Sequence, residues 1–196
     1  MQNKYLFFTI VVTFFLTSNA KPFEVPNLLT GVLALNDSAF PKFSQYPAPL
    51  DTQPRCHKID FKSNPIARQY RTTLKDGLEG DPNYCGHYSI VRWGCGSSCA
   101  MFAVIDNNNG KVITAECVSG ISNLANDKGY FRMGFHFCRE SRLLIIVGII
   151  NEMIDDYNNA YFYVLENNKL KLIYEINNFT GSPTTDSHMC EFKDNF

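Results

Sequence analysis

Cys95 and Cys99 are the residues whose type and spacing most directly suggest chemistry, in the string Trp93-Gly94-Cys95-Gly96-Ser97-Ser98-Cys99. Two sulfurs so placed can bridge, act as a nucleophile, exchange with a disulfide or hold a metal ion. A C-x3-C pair at a hairpin end can bring its Cβ atoms into bridging range. The chain-entropy model assigns so short a loop about 2 kcal/mol. Gly94 and Gly96 stand where the backbone calls for positive φ or close approach. The reading adopted is therefore a turn staple joining Cys95 to Cys99. A redox dithiol is ordinarily C-x-x-C at a helix N-terminus. A metal site would have to add a His, and no second close Cys pair completes a zinc pattern; no metal and no cofactor is expected. Of the four His (His57, His87, His136, His188), His87 merits most weight, because one short strand separates it from the Cys loop. A hydrolytic or thiol-dependent centre would be built on His87 with Cys95, Cys99 or Ser97.

The elements around these residues read as antiparallel strands. Residues 87–93 alternate, with Tyr88, Ile90 and Arg92 on one face. Ala100–Asp106 is apolar and β-branched, and Asn107-Asn108-Asn109-Gly110 is a strong turn signal leading to a third strand over Lys111–Ala115. Tyr130–Cys138 suggests another strand. Arg142–Ile150 reads as a central strand apolar on both faces and so covered on both. Ala160–Leu165 and Leu170–Ile176 pair across Glu166-Asn167-Asn168-Lys169. Upstream, Ser63-Asn64-Pro65 has the form of a helix start, and Ile66, Tyr70 and Leu74 recur at i, i+4, i+8. Gly77 is the expected stop. The fold class expected is α+β: an antiparallel β-meander of hairpins covered by one N-terminal-side amphipathic helix.

The chain has 196 residues, 45% of them hydrophobic and 19% charged, enough for one real core and against wholesale disorder. A formal net charge of −1 leaves no basic excess to neutralise phosphates, so nucleic acid is not an expected partner. Residues 1–20 carry one cation, Lys4, an apolar run from Tyr5 to Leu16, and the small residues Ser18 and Ala20 at the −3 and −1 positions of a cleavage site. That run is well short of the roughly 20 residues needed to span a bilayer. It reads as a signal peptide cleaved after Ala20, leaving no membrane span. Residues 21–54, holding six of the nine Pro, form an extended lead-in; 55–177 form a single domain; 178–196 are a polar tail. All seven Cys lie in the exported part, where disulfides are the default. An odd count leaves at least one thiol free or paired between chains. Glu152, Asp155 and Asp156 form an acidic turn without the spacing of a calcium loop. Asn36 and Asn178 head glycosylation sequons.

One resemblance to a catalytic family fails. Cys-Gly-Ser-Ser-Cys echoes the Cys-Gly-Ser-Cys-Trp signature of papain-like proteases, but an extra Ser breaks the spacing and a strand follows in place of a helix. A second resemblance runs through Ala67–Leu74, then Pro82-Asn83-Tyr84-Cys85-Gly86-His87-Tyr88, the Trp-Gly-Cys-Gly-x-x-Cys string, Val104-Ile105-Asp106, Gly110-Lys111-Val112 and Ser141–Leu144. In this order of motifs the chain resembles a family of small exported bacterial proteins with a WGCGxxC core. The resemblance implies export and a shared hairpin core, but no reaction. Cys85 departs from the family's pattern and is expected to have a partner of its own.

The expected role is therefore that of a periplasmic or secreted, disulfide-stapled, non-catalytic binding module of inhibitor or immunity type. Its partner would be an envelope or secreted protein, and Tyr88, Trp93, Tyr161 and Tyr163 are the candidate anchors. The alternative is an envelope enzyme centred on His87 with Cys95 and Cys99. A concavity holding His87 beside a Cys or carboxylate would speak for chemistry; a packed His87 over a flat sheet would speak for binding. Intact-mass analysis of the exported protein is expected to give an N-terminus at Lys21; retention of Met1–Ala20 would contradict the export reading.

Overall fold

Leu143–Ile150 is the most continuously apolar stretch of the chain, and the fold is arranged to cover both of its faces. A computed structural model describes residues 40–51, 53–96, 99–115, 118, 120–122, 125–126, 129–130, 134–151, 159–177 and 179. The signal-like segment, the sequon asparagines Asn36 and Asn178, Ser97, Cys117, Glu152, Asp155, Asp156, His188 and Cys190 lie outside them.

Among the described residues ten strands follow in chain order: β1 (Tyr88–Gly96), β2 (Cys99–Asp106), β3 (Val112–Ile113), β4 (Ile121–Ser122), β5 (Ala125–Asn126), β6 (Gly129–Tyr130), β7 (Gly134–Phe137), β8 (Leu143–Ile150), β9 (Asn159–Glu166) and β10 (Lys169–Ile176). Eight of them form one sheet with path β1-β2-β4-β8-β9-β10, in which β3 also pairs with β2 and β7 with β8. Every ladder between these strands is antiparallel, and one isolated bridge, Ala115 to Leu170, is parallel. Strand period two then divides the side chains of β8. Leu144 and Ile146 join a large core with Tyr84, Ile90, Phe102, Val104, Phe135 and Tyr163. Leu143, Ile145 and Val147 join a second with Phe40, Phe43, Phe162 and Val164. A third core sets Ala67, Leu74 and Leu78 against Val91, Ala103 and Ile105. Phe40 and Phe43 show that the described end of the Pro-rich lead-in packs into the core, with Phe43 fully buried.

The turns are where sequence chemistry is plainest. Asn167 and Asn168 both take positive φ (50° and 59°) between β9 and β10, the left-handed conformation that Asn tolerates in two-residue hairpins. Gly110 (φ +75°) closes the 107–110 turn with its Cα pressed on the Lys58 carbonyl, so that a Cβ there would collide with it.

Three expectations are corrected. The helical stretch is two pieces, α1 (Pro65–Gln69) and α2 (Arg71–Glu79), broken at Tyr70 (φ −110°, ψ 38°). Asn64 caps α1 as expected, its Oδ1 accepting from the Ile66 N–H at 3.0 Å. The break lets the Tyr70 ring pack on Trp93, 4.7 Å between centroids, and the buried positions become Ala67, Leu74 and Leu78, without Ile66. Gly77 is not the stop. It sits inside α2 because the helix crosses so close to Val91 that a Cβ would overlap that side chain. The third strand is only Val112–Ile113; within Tyr130–Cys138 the described residues are strand at Tyr130, the end of β6, and over Gly134–Phe137, β7.

Gly110→Ala is expected to destabilise by more than about 1 kcal/mol in urea unfolding, because the substituent meets both a disallowed φ and a backbone oxygen. Gly94→Ala, where a Cβ finds nothing within 4 Å, is the control and should be near neutral. Equal midpoints for the two variants would contradict this packing.

Candidate functional site

The first hairpin has two chemical ends. At its tip, Cys95 and Cys99 are joined by a disulfide with Cα atoms 5.2 Å apart. Gly96 takes φ +144° at a register shift between Gly94 and Gly96, whereas Gly94 needs neither positive φ nor a close neighbour. Gly120 packs beneath the bridge, its Cβ position 3.4 Å from the Cys99 Sγ. Cys138 is disulfide-bonded too, while Cys56 and Cys85 are free thiols. Cys85 thus lacks the covalent partner expected for it.

At the base of the hairpin, Tyr84 to Tyr88 fold into a tight reversal. Tyr84 and Tyr88 exchange backbone hydrogen bonds (3.0 and 2.9 Å), with Cys85 (φ 44°) and Gly86 (φ 78°) in left-handed conformations between them. The reversal is clamped from outside. The Gly86 N–H donates to the Arg139 carbonyl (2.6 Å), and the Arg139 Nε–H donates back to the Gly86 carbonyl (2.9 Å). A Cβ on Gly86 would fall on the Pro49 carbonyl. From beneath, the buried Tyr84 hydroxyl donates to the Arg142 carbonyl just before β8.

This reversal delivers His87 between two carboxylates. Its Nδ1 lies 3.4 Å from Asp51 Oδ2 and its Nε2 lies 3.3 Å from Asp106 Oδ1. A neutral imidazole can donate to one of them, an imidazolium to both. The ring stacks on Tyr88, 4.2 Å between centroids. Asp106 is buried and organises the turn after β2: Oδ1 accepts from the Asn108 N–H (3.0 Å) and Oδ2 from Asn109 Nδ2 (2.6 Å). Asp51 accepts from the Gln53 N–H (2.8 Å) and from Asn108 Nδ2 (2.7 Å). A cavity of about 200 Å³ opens here, lined by Asp51, Gln53, Arg55, Asp81, His87 and Arg139 among others. Arg55 pairs with Asp81 at 2.9 Å.

The expected partners do not meet. His87 precedes the start of β1, and the disulfide closes the strand's far end, about 25 Å away at the usual rise per residue. Trp93 is half-buried against Tyr70, and its Nε1 has no hydrogen-bond partner among the described residues. Tyr163 is core, and the half-buried Tyr88 donates its hydroxyl to Asn168 Oδ1 (2.7 Å). Residues that the sequence reading passed over (Asp51, Asp106, Asn108 and Arg139) complete the site. A signal existed for Asp106 alone, an Asp directly before Asn-Asn-Asn-Gly, where a carboxylate caps turn N–H groups.

Burial pushes the Cys85 thiol up to about 11, against a lesser lowering by Arg142. Burial, the Asp106 charge and Cys85 push the Tyr88 hydroxyl up to about 12. Burial, foremost among several causes, holds the Tyr84 hydroxyl well above its ordinary range.

Compared with known proteins, the chain matches no family model, no curated protein and no solved structure.

A raised thiol pKa means that the folded state holds its proton longer than the unfolded one, so Cys85 contributes stability present below pH 9 and lost as pH rises through about 11. Urea midpoints are therefore expected to fall across that window in the native chain and to fall less in Cys85→Ala. At pH 8, iodoacetamide should modify Cys56 in the folded protein and reach Cys85 only after denaturation; native labelling of Cys85 would contradict its burial.

Proposed function

We propose that the chain is an exported, disulfide-stapled, non-catalytic binding module of the inhibitor or immunity type. Its recognition surface is the charged cavity at the His87 end of the first hairpin, and its partner is an envelope or secreted protein. The observation that supports this reading is that each ring nitrogen of His87 already faces a carboxylate of the chain itself, 3.4 and 3.3 Å away, although a concavity holding His87 beside a carboxylate is also the arrangement expected of chemistry. Neither is directed to take a proton from a molecule in the cavity. Among the described lining residues there is no hydroxyl or thiol. At about 200 Å³ the cavity is below the roughly 300–1,000 Å³ of common small-molecule sites and suits a polar side chain presented by a partner. Arg139, whose Nε–H is engaged by the Gly86 carbonyl, and the half-screened Arg55 supply cations of the kind that dominate protein interfaces.

In this reading the scaffold is an α+β meander with the 65–79 helical segment as its amphipathic cover. Removal of Met1–Ala20 releases it to the periplasm or medium, as in the WGCGxxC proteins it resembles. The second reading, a hydrolytic enzyme centred on His87, has one observation in its favour: His87 stands beside two carboxylates in a concavity. Its thiol-dependent form loses support from the bridge between Cys95 and Cys99.

Photocrosslinking in producing cells separates the two. With Gln53→p-benzoylphenylalanine, a single protein adduct is expected, saturable by excess unlabelled mature chain. It should disappear when Arg55→Glu and Arg139→Glu are combined at unchanged circular dichroism. Absence of a saturable adduct, together with p-nitrophenyl ester hydrolysis abolished by His87→Gln, would overturn the proposal in favour of the enzyme.

A further inference from the structure

Along the segment that carries Arg55 into the cavity, the chain next builds a different concavity. Residues 57–61 run beside α2 and leave between them a groove of about 570 Å³, within the usual range for small organic ligands of roughly 300–1,000 Å³. Its floor is apolar: Ile59 and Leu78 are buried members of the third core, and Phe61 packs against it. Its rim is cationic. Lys58 and Lys75 line it, and neither has an ion-pair partner among the described residues. Lys75 Nζ and the Arg71 guanidinium lie over the Phe61 ring, 5.8 and 5.7 Å from its centroid, which keeps their charges beside the apolar floor. Glu79, one turn beyond Lys75, is the single acidic residue of the lining. The Arg68 Nε–H donates to the Phe61 carbonyl (3.2 Å), so the segment and the helical stretch are tied together and the groove is built in advance of any ligand.

We propose that this groove binds a small amphipathic organic anion, its apolar body on Ile59, Phe61 and Leu78 and its charged head between Lys58 and Lys75. Charge complementarity selects the occupant. Unpaired cations bordering an apolar floor favour a ligand that is apolar at one end and anionic at the other, and Glu79 disfavours a second negative charge. The site is separate from the His87 cavity, and its occupancy does not depend on the reading proposed for that cavity.

The probe is 8-anilinonaphthalene-1-sulfonate, titrated into the folded mature chain at low ionic strength, where exposed charges act most strongly. Fluorescence is expected to saturate at one site per chain. Decanoate should displace the probe, and decanol at the same concentration should not. Lys58→Glu combined with Lys75→Glu should weaken binding at least tenfold at unchanged circular dichroism. Phe61→Ala should weaken it as well, whereas Arg55→Glu with Arg139→Glu should leave it unaltered. Unsaturable fluorescence, equal displacement by decanol, or undiminished binding in the double lysine variant would overturn the proposal. Displacement by an acidic, Phe-containing peptide but not by decanoate would overturn it in favour of a protein ligand.

Discussion

A buried carboxylate needs donors, and Asp106 obtains its own from a backbone N–H and an Asn amide, with the His87 imidazole facing it at 3.3 Å. Removing a carboxylate from water without such partners is among the costliest events in folding. The end of β2, the 107–110 turn and the position of His87 therefore form one problem with one solution. His87 in turn faces Asp51, and Asp51 shares Asn108 with the turn. The lead-in segment is thereby fastened to the hairpin through polar groups that each have more than one partner. The cavity is what remains where these groups converge with Arg55, Asp81 and Arg139.

That polar assembly rests on an apolar one. Tyr84 lies at the bottom of the reversal, fully buried in the largest core, and its hydroxyl meets the Arg142 carbonyl just before β8. Because β8 is covered on both faces, Tyr84 is attached immediately beside the most fully buried strand of the sheet. The disulfide closes the opposite end of the same hairpin. The hairpin is thus held covalently at its tip, about 25 Å from His87 at the usual rise per residue.

Local signals were legible in the sequence wherever one stretch determined its own conformation. The Asn64 cap, the Asn167-Asn168 turn, the unbroken apolar run of β8 and the C-x3-C bridge all depend on neighbours a few residues away. What could not be read depended on distant partners. Gly77 has the residue type of a helix stop, and only the approach of Val91 reveals it as a crossing point. Ile66 sits on the expected stripe, yet the break at Tyr70 turns α2 so that Leu78 is buried. His87 was singled out for its closeness in sequence to Cys95, whereas its actual neighbours come from the lead-in and the far end of β2. Nothing local in Asp51 or Arg139 marks them as parts of one site.

The most direct measurement is a double-mutant cycle on folding stability between His87→Ala and Asp106→Asn, the second chosen to retain an acceptor for the turn. Such a cycle isolates the pairwise term from the separate effects of each change. A coupling of about 1 kcal/mol or more, in the range of contacting polar groups, is the result expected of a His that fastens the hairpin base. Additive effects, with His87→Ala alone leaving stability unchanged, would contradict it and return His87 to the status of an unencumbered side chain in a cavity.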